Sequence, residues 1–288
     1  MILTDCLERV DVELPEPLPH AERCVASVVS PGYERHLDGL LRSLDSWGGC
    51  ADASRIVFAV GGSAEIDRVA ARYGARLIRC RPRGPLNAMV KALLYSAARV
   101  IAAEKLLCLD ADLLVLGDLS PLFAALDVLP ERSILACRDW NDAGFKSLSH
   151  SLATNYGGSE SDVSRLLGRN RGEGRSTLVV NDGVFAGRRQ ALAAIDECIR
   201  GMRKAADWIG AWPVRPIRNQ FVFNLALAHL GCGVAADDVY NLQLHAHDAA
   251  VTREGGRPRA VWKGREVRVL HFCADGRTRY EAVRALLD

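Results

Sequence analysis

The run Leu106-Leu107-Cys108-Leu109 ends on Asp110-Ala111-Asp112 and resumes as Leu113-Leu114-Val115-Leu116, so an apolar segment of strand length carries two carboxylates to its own end. In an extended chain residues two apart project to the same side, so Asp110 and Asp112 are expected to converge on one point outside a sheet. Converging carboxylates repel unless a positive charge lies between them. A hard divalent cation that takes oxygen ligands, Mn²⁺ or Mg²⁺, fits there and keeps open positions for the oxygens of a diphosphate. Acidic triplets also occur in solvated surface turns. What favours a metal and diphosphate site is context: this triplet lies within a chain of alternating strands and helices, where ligands gather at strand carboxyl ends.

That alternation is read directly from periodicity. CVASVVS (24–30) predicts a core strand, Pro31-Gly32 a turn, and 33–47 an amphipathic helix with Leu37, Leu40, Leu41 and Leu44 on one face. RIVFAVGG (55–62), a helix over 64–73 and ARLIRC (75–80) repeat the unit at βαβ spacing, which implies a parallel sheet. Pro85 opens a helix expected to run to the aspartate strand, with Asn87 and Lys91 on one face. SILACRDW (133–140) reads as a strand ending at Asp139, and 176–202 as a strand, a polar Asn181-Asp182-Gly183 turn and a long amphipathic helix. A helix over 219–231, a strand running into His271-Phe272 and a C-terminal helix complete the chain.

Residues 1–20 include LPEPLPH, whose prolines exclude a regular helix and predict an extended arm; 21–288 read as a single α/β domain. Residues 141–176 lose periodicity and collect Gly, Ser, Asn and Arg, the composition of a lid or an acceptor-binding insertion. A net charge of +2, with arginines spread along the chain, disfavours a nucleic-acid partner. The arginines at 76, 79, 81 and 83 suit surface solvation better than steering of a diphosphate. Nine cysteines without a CxxC pair read as reduced core residues. With no signal segment and no apolar run of transmembrane length, a cytoplasmic protein is expected.

The stretch 106–122 resembles the LDAD-x-LVLGDLSPLF signature of the family 8 glycosyltransferases, and looser similarity covers roughly residues 24–280. The resemblance implies a GT-A fold, a Rossmann-like mixed, mainly parallel sheet flanked by helices. It also implies manganese-dependent transfer of a hexose from a nucleotide diphosphate sugar, a UDP-sugar first among the donors, with retention of anomeric configuration. Ser30 and Tyr33, after the first strand, then stand where the family holds its base, and Lys91 where it contacts the donor. Asn181-Asp182-Gly183 resembles the family's Asn-Ser-Gly beside the transferred sugar, with Asp182 in place of serine. Asn219 and Gln220 resemble its Asp-Gln helix start, Gln220 being placed at a sugar or acceptor hydroxyl and Asn219 equally well as a helix cap. Asn241 and Gln243 match polar positions of the LPxxYN segment. His271 matches the third metal ligand beside Asp110 and Asp112, and Arg277 the basic residue that meets the diphosphate, while Tyr280 falls near the family's tryptophan.

His245 and His247 could mimic a metal pair, although the acidic site already has its partner in His271. The acceptor, whether glycan, small molecule or protein, and homo-oligomerisation stay open. Two alternatives are a haloacid-dehalogenase-like phosphatase, which also sets two aspartates at a strand end but expects Thr or Val where Leu114 stands, and a non-catalytic nucleotide-sugar binding protein.

Overall fold

The computed structural model describes residues 10–13, 21–83, 91–141, 144–145, 178–201, 219–273 and 279–288. In chain order the first half holds β1 (Val10–Glu13), β2 (Ala21–Val29), α1 (Glu34–Trp47), β3 (Ser54–Val60), α2 (Ala64–Arg72) and β4 (Arg76–Pro82). It continues through α3 (Ala92–Tyr95), β5 (Ala103–Leu109), β6 (Leu113–Val115), α4 (Ser120–Val128), β7 (Ile134–Arg138) and the short pair β8 (Trp140–Asn141) and β9 (Gly144–Phe145). Then come β10 (Val180–Arg188), α5 (Arg189–Gly201), α6 (Asn219–Leu230), β11 (Gly233–Ala235), β12 (Leu242–Gln243) and β13 (Val251–Glu254). The chain ends with β14 (Arg257–Trp262), β15 (Arg265–Glu266), β16 (Val269–His271) and α7 (Tyr280–Arg284).

Eight strands form the central sheet in the order β1-β4-β3-β2-β5-β10-β7-β11. β2, β3, β4 and β5 pair in parallel through β2–β3, β3–β4 and β2–β5, whereas β10 is antiparallel to both β5 and β7. Both faces are buried, and the sequence alternates accordingly: Leu106 and Cys108 of β5 face one apolar cluster, Leu107 and Leu109 the other. α1 covers one face because Leu37, Leu40, Leu41 and Leu44 recur at helical spacing, and α2 starts where Ser63 Oγ accepts the Ile66 N–H at 3.1 Å. Residues 10–13 of the expected arm form an edge strand antiparallel to β4. There Arg79, Arg81 and Arg83 pair with Asp67, Glu13 and Asp11 on the surface. The described cysteines are all free, and among the described residues no helix is long and apolar enough to cross a membrane.

The strand order reverses beside β2: β3 and β4 build outward on one side, and the chain then crosses to lay β5 on the other. The carboxyl ends of β2 and β5 therefore flank the crevice where open α/β sheets hold ligands. A second sheet, β12-β16-β6, stands at this rim. β16 runs antiparallel to β6 with His271 opposite Leu113, and the Phe272 N–H donates to the Asp112 carbonyl at 3.1 Å.

Three local expectations are corrected. Asp110 and Asp112 do not lie on an extended strand; they occupy the turn between β5 and β6, and the turn rather than strand alternation brings them together. Of the helix expected to run from Pro85 to the aspartate strand, only the part from Lys91 lies among the described residues; it spans Ala92–Tyr95 and gives way to a 3₁₀ turn over Ala97–Arg99 before β5. Leu93, Leu94, Tyr95, Ala97 and Ala98 are all buried, so packing under the sheet and not an amphipathic stripe fixes this segment. Asn181-Asp182-Gly183 is not a turn but part of β10, where the pairing with β7 shifts register between Val180 and Phe185. Here Asn181 Oδ1 takes the Gly183 N–H at 2.9 Å, a local side-chain bond that accommodates the irregular ladder.

Candidate metal site and its hydrogen-bond network

Among the described residues, Asp110, Asp112 and His271 form a group whose ligand atoms all lie within 4.8 Å of one another. His271 Nε2 stands 3.5 Å from Asp112 Oδ1 and 3.7 Å from Asp110 Oδ2, too far for good hydrogen bonds. Adjacent donors around an octahedral ion with bonds of about 2.1 Å are about 3 Å apart, so a modest contraction closes this set on a metal. The residues fit a divalent cation that accepts both carboxylate and imidazole, Mn²⁺ better than Mg²⁺. Gly183 permits this approach, since a Cβ there would lie 2.3 Å from His271 Cε1 and 2.6 Å from Nδ1.

Beside the metal group lies a half-buried ion-pair cluster. Lys91 Nζ donates to Asp110 Oδ2 and to Asp182 Oδ1, each at 2.6 Å. Asp182 Oδ2 accepts from the Tyr95 hydroxyl and from Asn219 Nδ2 at 2.9 Å, so both its oxygens are committed and its side chain is 4% exposed. Tyr95 is held by stacking on Phe223, with ring centroids 4.7 Å apart, and by contact with Phe185. Burial raises Asp110 to about 6; the pull of Lys91 does not cancel it, and neighbouring Asp112 and Asp182 push the same way. Burial by itself would lower Lys91, yet Asp110 and Asp182 together hold it above its ordinary value and keep it an ammonium. One ammonium thus bridges two carboxylates, and with Asp112 counted the site keeps two negative charges that a divalent cation at the Asp110–Asp112 pair would neutralise.

The sequence-predicted residues sort clearly. Lys91, Asp110, Asp112, Asp182 and His271 come together directly. Asn181 and Gln220 join each other, with Asn181 Nδ2 donating to Gln220 Oε1 at 3.3 Å and Gln220 Nε2 to Asp139 Oδ2 at 3.0 Å. Asn219 is the first residue of α6, and its Nδ2 donates to Asp182 Oδ2 and to the Tyr95 hydroxyl. Ser30 and Tyr33 follow β2, which runs beside β5 with Ser27 opposite Leu109, and the half-buried Tyr33 ring packs 5.2 Å from that of His36. Arg277, Asn87 and most of the 141–176 loop lie outside the described residues. His245 and His247 form no metal pair: His245 Nδ1 contacts Cys273 Sγ at 3.0 Å, while the His247 ring packs between Trp140 and Trp262. Tyr95 and Asp139 carried no sequence signal beyond an aromatic in a buried run and an acid after a strand.

No family model and no curated protein sequence matches the chain. Solved structures match its fold. One is the galactosyltransferase LgtC in complex with donor and acceptor sugar analogues, at a TM-score of 0.60 and 18% identity over 91% of this chain and 95% of that one. Another is mouse xyloside xylosyltransferase 1 in its apo form, at 0.55 and 13%, over 88% of this chain and 98% of that one. The bifunctional glycosyltransferase WbbM, also apo, matches at 0.54 and 13%, over 80% of this chain and 41% of that one. The chain has the mixed α/β GT-A fold of these solved glycosyltransferases.

Proposed function

We propose that this chain is a metal-dependent glycosyltransferase that moves a hexose from a nucleotide diphosphate sugar, a UDP-sugar first among the candidates, to an acceptor with retention of configuration. The observation that carries the reading is the Asp110–Asp112–His271 group at the strand-end crevice of a glycosyltransferase fold. A bound Mn²⁺ would neutralise charge on the departing diphosphate.

The chain's own residues then take distinct tasks. Asp110, Asp112 and His271 hold the metal; Ser30 and Tyr33, at the end of β2, bind the base; Arg277 meets the diphosphate. Lys91, with its third N–H not used by Asp110 or Asp182, donates to the donor sugar or its phosphate. Asp182 serves the sugar site by fixing Lys91, because neither of its oxygens is free to act as a base or nucleophile without breaking that cluster. Gln220 and Asn181 lie beside it near the transferred sugar. With no uncommitted protein carboxylate at Asp182, the acceptor proton passes to the departing phosphate oxygen, which suits retention.

Thermal shift and donor hydrolysis against a panel of nucleotide diphosphate sugars, with and without Mn²⁺, test the proposal. One donor is expected to raise the melting midpoint strongly only with the metal, by the equivalent of about 2.7 kcal/mol at a hundred times its Kd. A panel in which no donor shifts the midpoint or is hydrolysed with Mn²⁺ present overturns it.

A further inference from the structure

The metal histidine is not isolated behind its ligand atoms. His271 Nδ1 lies 2.9 Å from Asn241 Oδ1, Asn241 Nδ2 donates to Asn181 Oδ1 at 3.0 Å, Asn181 Nδ2 to Gln220 Oε1 at 3.3 Å, and Gln220 Nε2 to Asp139 Oδ2 at 3.0 Å. His271, Asn241, Asn181 and Asp139 are all buried, so these bonds exchange little with water. Every donor in the series points the same way, from the imidazole to the carboxylate.

That direction is forced by two groups with no choice. The Gly183 backbone N–H, which can only donate, gives its hydrogen to Asn181 Oδ1 at 2.9 Å. Asn181 must therefore turn its amino group to Gln220, whose own amino group meets the carboxylate of Asp139. On the other side, Asn181 Oδ1 also faces Asn241, which has to present Nδ2 and so shows its oxygen to His271. A neutral imidazole beside that oxygen carries its proton on Nδ1 and keeps a lone pair on Nε2. The opposite tautomer would aim an Nε2–H at Asp112 and Asp110, 3.5 and 3.7 Å away, and consume the acceptors a cation needs.

We infer that Asn241 is a positioning residue that locks His271 in the Nδ1–H tautomer, and that Asn181, pinned by Gly183 and backed by Gln220 and Asp139, locks Asn241. The inference rests on the metal site of the proposed function but concerns the protein before metal binds. Outer partners of this kind are worth about ten- to a hundredfold in metal affinity, and a preset Nε2 lone pair favours an ion with nitrogen affinity over Mg²⁺.

The test is long-range ¹H–¹⁵N NMR on metal-free, histidine-labelled protein at a pH where imidazole is neutral, with His271 assigned by its loss in His271→Ala. Wild-type His271 is expected to read protonated at Nδ1 and unprotonated at Nε2. Asn241→Leu, close in size but without hydrogen bonds, should move His271 toward the Nε2–H form and raise the Mn²⁺ Kd, read by electron paramagnetic resonance of free Mn²⁺, about tenfold or more. Asn181→Leu, which leaves Asn241 in place but frees it to flip, should give a mixture of tautomers and serves as the deciding variant if Asn241→Leu does not fold. An Nε2–H tautomer in the wild type, or variants that keep the wild-type pattern and Mn²⁺ affinity, would overturn the inference. Wild-type protein that shows the Nδ1–H form but binds no Mn²⁺ would instead overturn the proposed function and leave the lock standing.

Discussion

Asp182→Asn separates a structural carboxylate from a reacting one. Asp182 receives three donors: Lys91 Nζ at 2.6 Å on Oδ1, and Asn219 Nδ2 at 2.9 Å and the Tyr95 hydroxyl on Oδ2. An asparagine offers one oxygen. If that oxygen stays on Lys91, the new amino group faces the Asn219 amino group; if it turns to Asn219 and Tyr95, the ammonium keeps only Asp110. Either way one charge-assisted bond is lost and one buried donor left unpaired, at a cost of about 1.5–3 kcal/mol. For a chain of this size the melting midpoint should fall by about 2–5 °C, measured by calorimetry on metal-free protein. Donor turnover should fall by about tenfold, through a loosened Lys91. A variant that melts like the wild type, binds donor as tightly and turns over a hundredfold more slowly or worse would refute this reasoning, because that pattern belongs to a general base or nucleophile.

Gly183→Ala places a methyl 2.3 Å from His271 Cε1 and 2.8 Å from Asn181 Oδ1, groups fixed by their own hydrogen bonds. It should destabilise by about 1–3 kcal/mol and weaken Mn²⁺ binding, read by chemical denaturation and Mn²⁺ titration; wild-type values for both would contradict the close packing. Because burial holds Asp110 at about 6, Mn²⁺ affinity should be level above that pH and decline as pH falls through it, protons and metal competing for one carboxylate. The effect on metal-free folding runs the other way: a carboxyl raised above its ordinary 3.8 favours the fold at low pH and loses that contribution as pH rises through about 6, visible in melting midpoints with chelator. NMR analysis of the product anomer should show retention; an inverted product ends that assignment.

The sequence made the scaffold legible where one period dominates. Leu37, Leu40, Leu41 and Leu44 marked a covering helix, and the apolar runs at 24–30 and 55–62 marked neighbouring parallel strands, because burial on both faces leaves a continuous signal. The aspartates were legible as charge at the end of an apolar run. His271 needed the family resemblance, since nothing local distinguishes a metal histidine from a buried one. What did not show is whatever depends on contacts between distant positions. Asn181-Asp182-Gly183 has turn-forming chemistry, yet in the fold Lys91, Tyr95, Asn219 and Asn241 meet its side chains and β10 continues through it as a strand with shifted register. Tyr95 reads as one more apolar residue until Phe185 and Phe223 fix its ring and leave its hydroxyl on Asp182. Asp139 reads as a strand terminator, and only the amides of Gln220, Asn181 and Asn241 link it to His271.

In the proposed function Asp110, Asp112 and His271 hold one divalent metal that bridges protein and nucleotide diphosphate. Calorimetric titration of Mn²⁺ into His271→Ala and wild-type protein, each with saturating UDP, tests it most directly. The variant should keep a metal-free melting midpoint near that of the wild type but lose Mn²⁺ and UDP affinity together, by about tenfold or more, because the metal joins the two. Wild-type Mn²⁺ affinity in His271→Ala with UDP bound would contradict it.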